Sequence, residues 1–172
     1  MRRRLALLAV AVLSLSWNPP SAAAQAHVRL GAFLGAALDW DDDWLLFGAE
    51  ARFRGARSYY DIQPSFYYHP FDNGSVLQLD GNLLFNLDAP ISQIVPYMGT
   101  GLAINHTSFD SSDPDVDNDD TSLGINFVMG LILGTNPKWR PYTQFQYSAL
   151  FDASDGATLS IGVLFNIKGM YR

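Results

Sequence analysis

The sequence predicts an all-β protein, an eight-stranded antiparallel up-and-down β-barrel that spans a membrane. Three observations carry this prediction. Apolar residues recur with a period of two in eight successive runs, which indicates strands with one apolar face. Segments rich in Asp, Asn, Gly and Pro separate most of these runs, as tight turns require. The polar face contains very little Lys or Glu, although these residues dominate protein surfaces in water.

Residues 1–24 are predicted to be a secretory signal peptide. A tri-arginine start precedes an apolar run over 5–15, which is too short to cross a bilayer as a helix. Small residues then satisfy the rule for cleavage after Ala24, with cleavage after Ala26 as the second choice. We expect residues 25–172 to form one outer-membrane β-barrel domain, since no linker interrupts them.

Composition excludes several classes of protein. The chain has no cysteine, so it is neither a disulfide scaffold nor a lipoprotein anchored through a cysteine. After the signal, eight Lys and Arg stand against seventeen Asp and Glu, and this acidity disfavours nucleic acid as a partner. No later stretch reaches the roughly 18 apolar residues of a membrane helix. Any membrane crossing must therefore use strands.

The eight runs each place alternate residues on an apolar face. The first four faces contain Val28, Leu30 and Leu34, then Leu45, Phe47 and Phe53, then Tyr60, Ile62 and Phe66, then Leu77, Leu79 and Leu83. The last four contain Met98, Leu102 and Ile104, then Leu123, Phe127 and Met129, then Thr143, Phe145 and Tyr147, then Leu159, Ile161 and Phe165. Runs of about ten residues match tilted membrane-spanning strands. Pro64 lies inside the third run and predicts a bulge or local irregularity, because proline lacks a backbone N–H.

The opposite face is predicted to line a narrow lumen. It consists mainly of Gly, Asn, Gln, Ser and Tyr, with a few charges of both signs. We expect these charges to form an ion-pair network that fills the barrel, because unpaired buried charges are costly and eight strands leave little more than side-chain space. The alternative is a lining for a narrow conduit. The charged residues on this face include Glu50, Arg52, Arg54, Asp61, Asp80 and Arg140.

The two ends of the predicted barrel differ in charge. Thirteen of the seventeen carboxylates fall in four inter-strand segments that share one end. With a periplasmic N-terminus, that end faces the cell exterior, and the segment from Thr107 to Thr121 is its one long loop. Aromatic residues near the strand ends are expected to form interfacial girdles. They are Trp40, Trp44, Tyr59, Tyr60, Tyr67, Tyr68, Phe71 and Trp139.

The run Val95-Pro96-Tyr97-Met98-Gly99-Thr100-Gly101 resembles the Pro-Tyr-x-Gly-x-Gly strand of the small OmpA/OmpX and opacity-type outer-membrane proteins, and Arg140-Pro141-Tyr142 repeats its start. The last run resembles the signal that the barrel assembly machinery recognises, at Ser160, Gly162, Phe165 and Ile167. The resemblance implies a Gram-negative outer-membrane location, contact with membrane lipid and lipopolysaccharide, and this machinery as a partner in biogenesis. Residues 168–172 depart from the pattern, which often ends on an aromatic residue.

One acidic loop invites comparison with a calcium site. Its alternating carboxylates are Asp113, Asp115, Asp117, Asp119 and Asp120. Asn118 stands where the sharp turn of an EF-hand needs glycine, and Gly124 stands where the bidentate glutamate belongs. We therefore expect a solvated surface loop. Divalent-cation bridging to lipopolysaccharide, or contact with a surface partner, is the alternative.

The sequence predicts no catalytic, cofactor or metal site. Gln146-Tyr147-Ser148 occupies the place where lipid A deacylases carry His-x-Ser, but here the serine lacks its histidine base. The three histidines lack the spacing of a metal site. The predicted function is a non-enzymatic outer-membrane barrel with a structural, envelope-integrity or adhesin-like role and an unidentified surface ligand. The alternatives are a narrow porin, an OmpW-like transporter of small or apolar solutes, or a lipid A-modifying enzyme.

Overall fold

The structure, a computed structural model, describes residues 27–38, 45–55, 58–72, 74–87, 93–109 and 120–167. The predicted signal peptide and Asp113 to Asp119 of the acidic loop lie outside these ranges. The described residues form eight strands, as predicted. In chain order they are β1 (His27–Ala37), β2 (Leu45–Arg54), β3 (Tyr60–Phe71), β4 (Gly74–Asn86), β5 (Ile94–Phe109), β6 (Asp120–Leu133), β7 (Trp139–Leu150) and β8 (Gly156–Asn166).

Each strand pairs with its neighbours in sequence, and β1 pairs with β8 to close the barrel. Every pairing is antiparallel. The fold is therefore the predicted closed up-and-down barrel. We call the end that carries His27 and Asn166 the terminal end, and the end with the β1–β2, β3–β4, β5–β6 and β7–β8 connections the loop end. Within the described residues, no helix is long and apolar enough to span a membrane.

The strands are staggered as they pass around the barrel. Starting at Val28 and moving to the paired residue on each next strand leads back to Leu38, directly after β1 and ten residues further along. The intermediate residues are Phe53, Ile62, Leu83, Thr100, Phe127, Tyr147 and Ala157. Such a stagger makes the strands tilt relative to the barrel axis, and an eight-stranded barrel of this kind encloses just enough space for side chains.

The apolar faces point outward and the polar faces point inward. Fifteen polar or charged residues but only twelve apolar ones are buried in the described part of the chain, which inverts the usual order of a water-soluble protein. Large apolar side chains stand on the outer surface, for example Leu34, Leu102 and Ile161, whose side chains are 58%, 68% and 67% exposed. Lipid is the solvent that suits this surface.

Aromatic residues on the outer surface pair across strands near both barrel ends. Phe47 of β2 lies opposite Tyr68 of β3 at the loop end, with ring centroids 5.3 Å apart. Tyr60 of β3 lies opposite Phe85 of β4 at the terminal end, with centroids 6.4 Å apart. The girdle prediction is wrong for Tyr67, which is buried in the lumen, and for Phe71, which lines the inner side of the barrel at the loop end, because odd-numbered residues of β3 point inward. Trp40 and Trp44 lie outside the described residues.

Pro64 interrupts the ladder between β2 and β3 without shifting its register. Glu50 pairs with Ser65 on one side of the gap and Phe53 pairs with Ile62 on the other, in the same alignment. On its other edge Pro64 pairs with Gly81 of β4. The predicted irregularity is thus a gap of two pairs in the ladder, at Ala51–Pro64 and Arg52–Gln63, and not an inserted residue, as expected where a backbone donor is absent.

Aromatic side chains in the lumen lie opposite glycines of the neighbouring strand. Tyr97 pairs with Gly130, Tyr142 with Gly162, and Phe33 with Gly48. A Cβ atom added to Gly130 would lie 2.5 Å from Tyr97 Cζ, so only glycine leaves room for the ring. Covering a glycine with a cross-strand aromatic side chain protects its backbone and fixes the register.

The β5–β6 hairpin is longer than the sequence predicted. β5 continues to Phe109 and β6 begins at Asp120, and the two strands stay paired up to Thr107 and Asp120. His106 Nδ1 lies 2.9 Å from Thr121 Oγ1 across this hairpin. The predicted loop from Thr107 to Thr121 therefore loses residues to both strands.

Candidate functional site

The middle of the lumen is filled by one continuous hydrogen-bond network. Glu50 on β2 receives bonds from Arg52 Nε and Gln63 Nε2, both at 2.6 Å. Gln144 Oε1 on the opposite wall accepts bonds from Tyr97 Oη at 3.0 Å and from Gln63 Nε2 at 3.2 Å. These contacts join strands from both sides of the barrel, so they cross the lumen instead of lining it.

Arg52 is the centre of this network. Its side chain is fully buried, and its guanidinium lies 4.5 Å from the ring centre of Tyr97 and 4.9 Å from that of Tyr142. Its Nη2 also donates to Tyr97 Oη at 3.1 Å. An ion pair, a hydrogen bond and two aromatic rings together replace the water that this cation would otherwise bind. The geometry holds the side chain across the barrel axis.

A second cluster of charges closes the lumen nearer the terminal end. Asp61 is fully buried and accepts bonds from Arg29 Nη2 at 2.9 Å, from Arg54 Nε at 2.6 Å and from Arg54 Nη2 at 2.8 Å. Asn86 Nδ2 donates to the same carboxylate at 3.1 Å. The paired donors of Arg54 give the bidentate geometry that a carboxylate binds best. Arg29 is not among the lumen charges named from the sequence, although it precedes Leu30 on the opposite face of β1.

Asp80 has amide partners instead of a cation. Its two carboxylate oxygens accept bonds from Gln78 Nε2 and Gln146 Nε2, both at 2.8 Å. No ion pair involves Asp80 in the described ranges. From this carboxylate the network continues through Gln146, whose Oε1 accepts a bond from Tyr67 Oη at 2.9 Å. The charges expected in one network thus divide into two ion-pair clusters and one amide-bound carboxylate.

Arg140 stands apart from both clusters. It is half-buried on the lumen face of β7, near the terminal end. Its Nε atom has no hydrogen-bond partner among the described residues, and no described carboxylate lies in ion-pair contact with it. Among the described residues, Arg140 therefore does not take part in the ion-pair network that the sequence predicted for it.

A cavity of about 860 Å³ opens at the loop end, above the filled part of the lumen. Tyr67, Gln78, Gln146 and Ser148 reach into its base from the network below. Apolar side chains form much of its wall, and carboxylates lie at its rim. The apolar residues include Leu46, Phe71, Val76, Phe109 and Leu150, and the carboxylates are Asp72, Asp120 and Asp155. Sequence analysis did not predict this cavity.

Ser148 lies among amides. Its Oγ donates to Asn126 Oδ1 at 2.8 Å and accepts bonds from Gln78 Nε2 and Gln146 Nε2. An amide cannot take up the proton of a nucleophilic hydroxyl at neutral pH. In the same described ranges, no group of three or more His, Asp or Glu residues is arranged to hold a metal ion.

The residues of the predicted assembly signal lie on both faces of β8. Ser160 is buried in the lumen, and Gly162 lies beneath the Tyr142 ring. Phe165 and Ile167 are exposed on the outer surface. Asp120, the one described residue of the acidic loop, is exposed and begins β6.

The fold and its surfaces define an integral membrane β-barrel. The chain is similar in structure to the N-terminal β-barrel domain of Pseudomonas aeruginosa OprF, with a TM-score of 0.64, 16% identity, and coverage of 83% of this chain and 100% of that one. Neisserial surface protein A has the same TM-score and identity, with coverage of 83% of this chain and 97% of that protein. Ail of Yersinia pestis, in complex with the heparin analogue sucrose octasulfate, has a TM-score of 0.59 and 15% identity, with coverage of 83% of this chain and 97% of Ail.

No protein-family model matches the sequence, and no curated protein sequence matches it significantly. The structural similarity is thus one of fold, and the fold is that of the small eight-stranded outer-membrane barrels. These neighbours are outer-membrane proteins, and the closed barrel with its apolar outer surface agrees with a chain that crosses a membrane as strands.

Proposed function

We propose that this chain is a non-enzymatic outer-membrane protein with a structural and surface-interaction role, and that its lumen does not conduct solutes. The observation that supports the proposal is the network centred on Arg52, which crosses the lumen. Arg52, Gln63, Tyr97 and Gln144 are each no more than 2% exposed. An open pore would need a continuous water path between these side chains.

The surface role is supported by the loop end. It combines an open cavity with the extended β5–β6 hairpin. Ail binds a heparin analogue, but a sulfated ligand does not suit this chain. Its four loop-end segments contain no Lys or Arg and thirteen carboxylates, which would repel a polyanion. We propose membrane lipid and, during biogenesis, the barrel assembly machinery as its partners, together with lipopolysaccharide, whose phosphates divalent cations can bridge to the loop-end carboxylates.

A narrow transporter is the second candidate, and solute flux separates it from a closed barrel. We expect proteoliposomes containing the wild-type chain to release small sugars at roughly the rate of protein-free vesicles, because side chains fill a barrel of this size. The Gln63→Ala/Tyr97→Ala/Gln144→Ala variant, which shortens three side chains that cross the lumen, should raise that rate. Leu102→Ala on the outer surface is the matched control and should not. Release by the wild-type chain at the rate of the lumen variant would contradict the proposal.

Cysteine labelling tests the proposed orientation, with the loop end outside the cell. The chain has no native cysteine, and Asp152 and Asn136 are exposed at the loop and terminal ends respectively. A membrane-impermeant maleimide added to intact cells should modify the Asp152→Cys variant at least tenfold more than the Asn136→Cys variant, because the outer membrane shields the second site. Permeabilised cells should label both equally. The reverse pattern on intact cells would invert the topology.

A further inference from the structure

We propose that the loop-end cavity binds a small organic cation with an apolar body, such as a benzylammonium or short alkylammonium compound. The cavity has a volume of about 860 Å³, within the range of small-molecule sites. The inference rests on the closed lumen proposed above, because a filled lumen makes the cavity a blind pocket. A ligand would then enter and leave through the loop end alone.

The wall of the cavity suits an apolar body. Leu46, Val76 and Leu150 contribute aliphatic surface. Phe71 and Phe109 meet edge to face there, with ring centroids 5.6 Å apart. Aromatic faces attract organic ammonium groups, and they do so more strongly where water is partly excluded. Contact with apolar side chains supplies most of the binding free energy in such sites.

The charges around the cavity select a cation. Among the residues that the structure describes, its lining contains three carboxylates, on Asp72, Asp120 and Asp155, and no Lys or Arg. Carboxylates gathered around a concave surface raise the local concentration of cations. The same field disfavours an anion of equal size.

The base of the cavity adds to this preference. Gln78 and Gln146 reach into the cavity and also donate to the Asp80 carboxylate below them. That carboxylate has no ion-pair partner in the part of the chain that the structure describes. Among the lumen cations, Arg52 is paired with Glu50 at 2.6 Å, and Arg29 and Arg54 are paired with Asp61 nearer the terminal end. A bound ammonium group therefore meets negative charge at the rim and beneath the base.

Benzyltrimethylammonium and phenylmethanesulfonate test this inference, because they share an aromatic body and differ in the sign of the charge. The full mature chain in nanodiscs would be titrated with each compound by calorimetry, and by NMR of its backbone amides. We expect saturable binding of the cation with shifts at the amides of Phe71, Val76 and Gln146. The sulfonate should bind about tenfold more weakly or not at all.

Substitutions locate the binding. Val76→Trp fills the cavity and should abolish binding of benzyltrimethylammonium, and Leu150→Trp provides a second filled cavity should the first variant fail to fold. Asp120→Asn should weaken binding about threefold, as expected for a partly exposed charge. Asp152→Asn is the matched control, because this carboxylate lies at the same end but does not line the cavity. The Asp152→Asn variant should bind benzyltrimethylammonium as tightly as the wild-type chain does.

Each alternative result overturns the inference in a distinct way. Equal binding of the sulfonate would show that charge does not select the ligand. Binding that survives both tryptophan substitutions would show partition into the lipid and not into the cavity. Absence of binding would refute the site itself. Transport of benzyltrimethylammonium across proteoliposomes would instead contradict the closed lumen, so failure of the proposed function is distinguishable from failure of the site.

Discussion

The Glu50→Ala variant is expected to lose about 3–5 kcal/mol of unfolding free energy, because it leaves the buried cation of Arg52 without its carboxylate. Glu50 is 5% exposed and accepts bonds from Arg52 and Gln63, both at 2.6 Å. Water cannot replace these bonds at the centre of a filled lumen. Urea titrations of the barrel refolded in lipid vesicles, followed by tryptophan fluorescence, measure the loss.

Two further variants identify the cause. Glu50→Ala/Arg52→Met removes both charges and should be more stable than Glu50→Ala, since no cation is left buried without its carboxylate. Glu50→Gln keeps the shape of the side chain and should fall between the wild-type chain and Glu50→Ala. Equal losses in the single and double variants would show that the charge of Arg52 is not responsible.

The Leu102→Arg variant tests which solvent surrounds the barrel. Leu102 is 68% exposed near the middle of β5, so an arginine there would stand near the middle of the bilayer. The expected loss of unfolding free energy in lipid vesicles is about 2–4 kcal/mol. In water an exposed surface substitution of this kind changes stability by only about 0.5 kcal/mol.

Phe151→Arg is the matched control, because Phe151 is 66% exposed but follows β7 at the loop end. An arginine there reaches the interface, so the expected loss is at most about 1 kcal/mol. Similar small losses for both variants in lipid would contradict the membrane-spanning assignment of the outer surface. A large loss confined to Leu102→Arg would support it.

The sequence was sufficient to predict strand number and the direction in which side chains point. In β1 the alternation of Val28, Arg29 and Leu30 already separates lipid-facing from lumen-facing residues, because strand geometry has a period of two. The scarcity of Lys and Glu on the polar face then indicated that this face lines the lumen and that the apolar face meets lipid. Tyr67 shows the limit of reasoning from residue type, since its parity within β3 outweighs the preference of tyrosine for the interface.

Contacts between side chains on opposite sides of the lumen could not be predicted from the sequence. Arg29 meets Asp61 although they lie on β1 and β3, which are not neighbours in the sheet. Their contact depends on the stagger between strands, and stagger is set by hairpin geometry that a period-two pattern does not encode. For the same reason, Asp80 could be predicted as a lumen residue but not as a partner of Gln146 on β7.

The seam between β1 and β8 has a consequence for the order in which this molecule folds. It joins Arg29 to Asn166, the longest sequence separation of the strand pairings, whereas every other pairing is between consecutive strands. Contacts so distant in sequence are slow to form, so we expect the seam to close last. Until then both terminal strands expose unpaired backbone groups that hydrocarbon cannot solvate. Closure of the seam is therefore the step that satisfies the last unpaired backbone groups of the barrel in hydrocarbon.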